Sequence, residues 1–103
     1  MIVAVAVGAR PELRHPEDMR SFKIVAGPGL ESEAALRAAL EGVAELISER
    51  EAWVSQAWVR RASGRDAADE WQRGFQAMLA YAGKKGWVRE EDGAIRAHIE
   101  GKP

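Results

Sequence analysis

In the segment Ala94-Ile95-Arg96-Ala97-His98-Ile99-Glu100, apolar and polar residues alternate without interruption from Ile95 onward. Successive side chains of a strand point to opposite faces. Ile95, Ala97 and Ile99 therefore share one face, and a base, an imidazole and a carboxylate share the other. The pattern is that of a half-buried strand. It calls for a sheet with one covered face and one face left to solvent, a ligand or a partner.

The rest of the chain supplies the elements of such a sheet. Ile2 to Val7 is apolar on both faces, which predicts a central strand covered on both sides. Residues 9–20, with two prolines and six charges, read as a loop. Phe22 to Ala26 reads as a second strand, ended by Gly27-Pro28-Gly29. A helix capped by Ser32 carries Leu36, Leu40, Val43 and Ile47 at helical spacing, with Gly42 inside it. Ala52 to Arg61, rich in aromatic and β-branched residues, reads as a third strand. Asp66 then caps a second helix, whose apolar stripe is Trp71, Phe75, Met78, Leu79 and Ala82. Trp87-Val88-Arg89 reads as a short strand, Asp92-Gly93 as a hairpin turn, Ala94 to Glu100 as the returning strand and residues 101–103 as a frayed end.

The expected order is β-β-α-β-α-β-β in one domain spanning residues 1–103. The fold class is α+β: a single mixed sheet of four to five strands with two helices on one face. The composition is ordinary for a globular protein, with 47% hydrophobic and 30% charged residues. Cysteine is absent, so there is no disulfide framework and no thiolate chemistry. No apolar run approaches the ~20 residues of a membrane span. The apolar start lacks a basic leader and alternates like a strand. These points make a cytoplasmic location the expectation, with no membrane partner. A formal net charge of −1 disfavours generic nucleic-acid binding.

If every strand is regular, the helix-covered face takes Val3, Val5, Val7, Ile24, Ala57, Val59, Ile95, Ala97 and Ile99. The open face then holds Ile2, Ala4, Ala6, Lys23, Val25, Gln56, Trp58 and Arg60 beside Arg96, His98 and Glu100. Trp53 and Trp58 lie at odd spacing, so one of them leaves the core, and this assignment selects Trp58. A half-apolar face with an indole in it is seldom left uncovered, which points to dimerisation through the sheet or to a ligand pocket.

His98 is the natural proton carrier near neutral pH. Glu100 would tune it and Arg96 would hold an anion. Trp58, Lys23 and Arg60 are the expected substrate-binding residues. Same-face neighbours on one strand lie about 7 Å apart, so direct hydrogen bonds require the side chains to lean together. The bland alternative is a solvated face of mutually compensating charges.

Other constellations are weak. Gly27-Pro28-Gly29 sits where phosphate loops occur, but Glu31 and Glu33 would repel an anion. Two histidines without a His-x-x-x-His pair give no metal set. A helix followed by a β-wing around Trp87 lacks the helix-turn-helix that should precede it.

The architecture resembles small α+β sandwiches that dimerise through their sheets, a class that includes isomerases, cofactor-free oxygenases and structural subunits. The residues thus suggest a small cofactor-independent enzyme of the isomerase, dehydratase or cyclase type. It would act by proton transfer on a small anionic substrate. The alternative is a non-catalytic subunit or interaction module that uses the apolar sheet face, with a protein partner or a second copy of itself.

Overall fold

Nine elements form in the computed structural model, which describes residues 1–101. They are β1 (Ile2–Val5), β2 (Glu12–Arg14), β3 (Lys23–Ala26), α1 (Glu33–Ala39), β4 (Ala44–Ser48), β5 (Glu51–Val54), α2 (Gln56–Ser63), α3 (Asp69–Lys84) and β6 (Ile95–Gly101). One mixed six-stranded sheet runs β2-β1-β3-β6-β5-β4. β1, β3 and β6 are parallel, and the remaining pairings are antiparallel. The α+β class and the single mixed sheet agree with the sequence reading. The sheet has six strands rather than four or five, and three helices accompany it rather than two.

Burial alternates along the strands. Val3 and Val5, Ile24 and Ala26, Ala52 and Val54, and Ile95 and Ala97 are buried, and their register places them on one face. Leu36 and Leu40, Val59, and Trp71 and Phe75 bring the three helical segments into the same cluster. Fully burying a side chain of this kind contributes about 1.5–3 kcal/mol, so this layer carries most of the stability. Trp71 stacks on Phe75 at 4.8 Å, and its indole N–H donates to Pro16 O at 2.7 Å. That bond anchors the loop before β3 to α3. β1 is covered on one face only, because Ile2 and Ala4 stay half-exposed on the other.

The expected third strand is in fact a strand and a helix. β5 stops at Val54, and Ser55 Oγ accepts the Trp58 backbone N–H at 3.2 Å. This N-cap turns the chain into α2, whose buried residues Val59 and Ser63 lie four apart on one helical face. Gln56, Ala57, Trp58, Val59 and Arg60 therefore leave the sheet.

The first helix is also shorter than its apolar spacing suggests. It ends at Ala39, and the N–H groups of Val43 and Ala44 both donate to Leu40 O, at 2.8 and 2.9 Å. Gly42, inside the turn from Leu40 to Val43, takes φ +79°, a conformation that L side chains rarely adopt. Leu40 and Val43 are buried as their spacing implies, but the chain reverses there and becomes edge strand β4. β4 forms a hairpin with β5 whose register shifts between Leu46 and Ser48, which exposes Ile47.

Smaller differences follow from local hydrogen bonds. Residues 12–14 of the expected loop pair with β1. Val7 lies beyond β1 and is exposed rather than covered. Asp66 does not cap α3, which starts at Asp69 without a side-chain cap; its carboxylate meets Arg60 Nη1 at 3.7 Å instead. Trp87–Arg89 forms a single bridge, Val88 to Ile95, rather than a strand. The turn at Asp92-Gly93 forms as expected, with Gly93 N–H donating to Arg89 O at 2.7 Å. Gly101 belongs to β6, while Lys102 and Pro103, the rest of the expected frayed end, lie outside the described residues.

Candidate functional site

The face of the sheet away from the helices can be read across the strands. One row runs Arg14, Ile2, Lys23, His98, Glu51; the next runs Glu12, Ala4, Val25, Glu100; a third pairs Arg96 with Trp53 and Trp53 with Glu45. Of the six residues expected to form a site, Lys23, Arg96, His98 and Glu100 are brought together here. Trp58 and Arg60 are not. Trp58 packs half-buried against the core from α2. The Arg60 guanidinium lies 4.9 Å over the Phe75 ring, on the helix side of the sheet.

The side chains do lean together. Glu100 accepts from Lys23 Nζ at 3.0 Å through one carboxylate oxygen and lies 2.6 Å from His98 Nε2 through the other. Arg96 Nε donates to Glu51 across the strand pair. The hydrogen bond from His98, then that from Lys23, hold the Glu100 carboxyl below the ordinary carboxylate range. The Arg96 hydrogen bond does the same for Glu51. Both carboxylates are therefore anionic at neutral pH and are weak proton acceptors, so Glu100 is suited to orienting the imidazole rather than acting as a base.

The group is open to water. The His98 side chain is 57% exposed and that of Glu100 44%. Grooves of about 520 and 470 Å³ lie elsewhere on the surface, and neither is lined by Arg96, His98 or Glu100.

Two participants escape the sequence reading, Glu51 and Trp53. Trp53 is the indole of the open face, the place expected for Trp58. Arg89 lies 5.4 Å over its ring and is held by Glu45 at 3.2 Å and Asp92 at 2.7 Å. The Arg89 hydrogen bond, joined by the Ala94 backbone N–H, pulls the Asp92 carboxyl down to about 2. The signal that could have identified both residues is Ser55. Ending the strand at that cap removes Trp58 from the sheet and leaves Glu51 and Trp53 as its outward pair.

Among the described residues no group of three or more His, Asp or Glu side chains is placed to hold a metal ion, and no helix is long and apolar enough to cross a membrane. No protein family, curated protein or solved structure matches this chain.

Proposed function

We propose that the open sheet face is an assembly surface through which two copies of this chain associate, so that the protein works as a non-catalytic interaction module. The carrying observation is the composition of that face. Glu12, Glu45, Glu51 and Glu100 are interleaved with Arg14, Lys23, Arg89 and Arg96 around Ile2, Ala4, Val25 and Trp53. A surface with both signs in equal measure suits its own copy under two-fold symmetry and suits a strongly charged partner poorly. Ile2, Ala4 and Val25 give the face a half-exposed apolar strip beside these charges, which a second copy can cover.

The dimensions set the strength. Six strands about 4.8 Å apart, each showing some five residues of about 3.3 Å rise, give a face of roughly 29 by 16 Å. Two such faces bury on the order of 1,000 Å² in all, the low end for specific interfaces. An interface of that size fits a weak or transient dimer. Sedimentation velocity from about 5 µM to about 1 mM should show a monomer–dimer equilibrium that Val25→Lys abolishes. A monomer at every concentration, or a V25K variant that dimerises like the wild type, would refute the reading.

A second reading rests on the 2.6 Å contact between His98 and Glu100. In it, His98 transfers a proton on a small anionic substrate, Glu100 fixes the imidazole, Lys23 neutralises Glu100, and Arg96 and Lys23 attract the anion. Trp58 and Arg60 have no part in it. A thermal-shift screen of small carboxylates and enols separates the two readings. A compound that stabilises the wild type but not His98→Ala supports proton transfer; no such compound leaves the assembly reading alone.

A further inference from the structure

The connections leaving β1 and β3 diverge at the carboxyl ends of these neighbouring parallel strands. β1 returns to β2 at one edge of the sheet, whereas β3 runs through α1 to β4 at the other edge. Diverging connections leave a crevice beyond the strand ends, and in open sheets this is where ligands sit. Here the crevice is a groove of about 520 Å³, within the size range of small-molecule sites. Its walls are the exit of β1 around Val7, the residue Leu30 after β3, and the side of α1 that carries Ala35, Ala38 and Ala39.

The lining selects a chemistry. The lining is predominantly apolar, and Val7 stands 66% exposed within it, so a ligand's apolar body would gain by covering it. The only ionisable lining residue is Glu41. The glycine turn leading from β3 to α1 is closed to anions, because the Gly29 N–H already donates to Glu31 Oε1 at 3.1 Å. Glu33 follows in the first turn of α1. Phosphates and carboxylates would therefore meet negative charge and no free cation in the lining.

We propose that this groove is a binding site for a small molecule with an apolar body and a protonated amine, the amine facing Glu41 and the body lying between Val7 and α1. The site is separate from the open sheet face and does not depend on it.

The test is an NMR titration of the full chain with cyclohexylamine, cyclohexanol and cyclohexanecarboxylate. The amine should shift amides confined to residues 6–9 and 35–41, the alcohol should do so more weakly, and the carboxylate should not bind. Glu41→Gln should weaken the amine about two- to five-fold, the range of an exposed ion pair, and leave the alcohol unchanged. Ala38→Trp should fill the groove and abolish both. Residues 38 and 41 are exposed, so both variants should keep the wild-type melting temperature. The inference is overturned if the amine gives no localised shifts, if the carboxylate binds as well as the amine, or if Ala38→Trp still binds.

Discussion

Replacing Gly29 by alanine should cost about twice as much stability as replacing Gly42, and the excess should vanish when Val7 is trimmed. Both glycines have positive φ, +93° and +79°. Holding an L residue there costs about 1–2 kcal/mol, of which about 0.4–1 kcal/mol is offset by the reduced freedom of the unfolded chain. Around Gly42 an added Cβ meets nothing within 4 Å, so Gly42→Ala should lose about 1 kcal/mol and no more. At Gly29 the same Cβ would stand 2.8 Å from Val7 Cγ2, which no real contact tolerates. Val7 has room to rotate because it is exposed, but a branched side chain pushed off its rotamer adds about 0.5–1.5 kcal/mol. Gly29→Ala should therefore cost about 2 kcal/mol. In a domain of this size each kilocalorie lowers Tm by about 4–8 °C, so thermal and urea unfolding followed by circular dichroism can separate the two variants. With Val7→Ala the nearest remaining atom, Cβ, is an ordinary 3.8 Å away, and the cost of Gly29→Ala should fall to that of Gly42→Ala. Equal costs in the wild-type background, or an excess that survives Val7→Ala, would falsify the reasoning.

Ser55→Ala should cost about 1 kcal/mol and speed amide exchange across Gln56–Ser63, because it removes the cap that starts α2; unchanged exchange there would contradict the capping role. The Asp92 carboxyl should titrate near 2 by NMR rather than at its ordinary 3.8. A depressed carboxylate pKa stabilises the fold at pH values above the unfolded value, and that contribution is lost as pH falls from about 4 toward 2. Arg89→Gln should return the midpoint toward the ordinary value, and an unmoved midpoint would rule out Arg89 as the cause.

Legibility followed the length scale of each signal. β6 could be read residue by residue because its alternation is complete and its two sets differ in polarity as well as hydrophobicity. α3 was equally plain from the Trp71–Phe75 stripe. The mistakes fall where two elements meet without a break in hydrophobicity. From Ala52 to Val59 the chain is apolar or aromatic except at Ser55 and Gln56 while its period changes from two to 3.6, and the Ser55 hydroxyl marks the change. Between Leu36 and Ile47 the apolar spacing continues through a reversal that only Gly42 betrays. The site inherited both outcomes. Lys23, Arg96, His98 and Glu100 were found because regular strands carry them, while Trp58 and Arg60 were misplaced because the strand assumed to hold them had already ended. Glu51, paired with Arg96 across a strand boundary, depends on register, which local sequence does not carry.

The position of β6 has a consequence for how the molecule is made. It is the last strand among the described residues and sits in the middle of the sheet, between β3 and β5. The strands on its two sides have no pairing with each other except through it. Lys23 meets His98 and Ala52 meets Ala97, both of them pairings between segments far apart in sequence. A nascent chain can form its local helices and hairpins early, yet it can only hold two unfinished half-sheets, each with a bare edge, until Ile95–Gly101 has left the ribosome. Folding is then slow for so small a chain, and the aggregation hazard is concentrated in the interval before the final strand inserts and closes both edges at once.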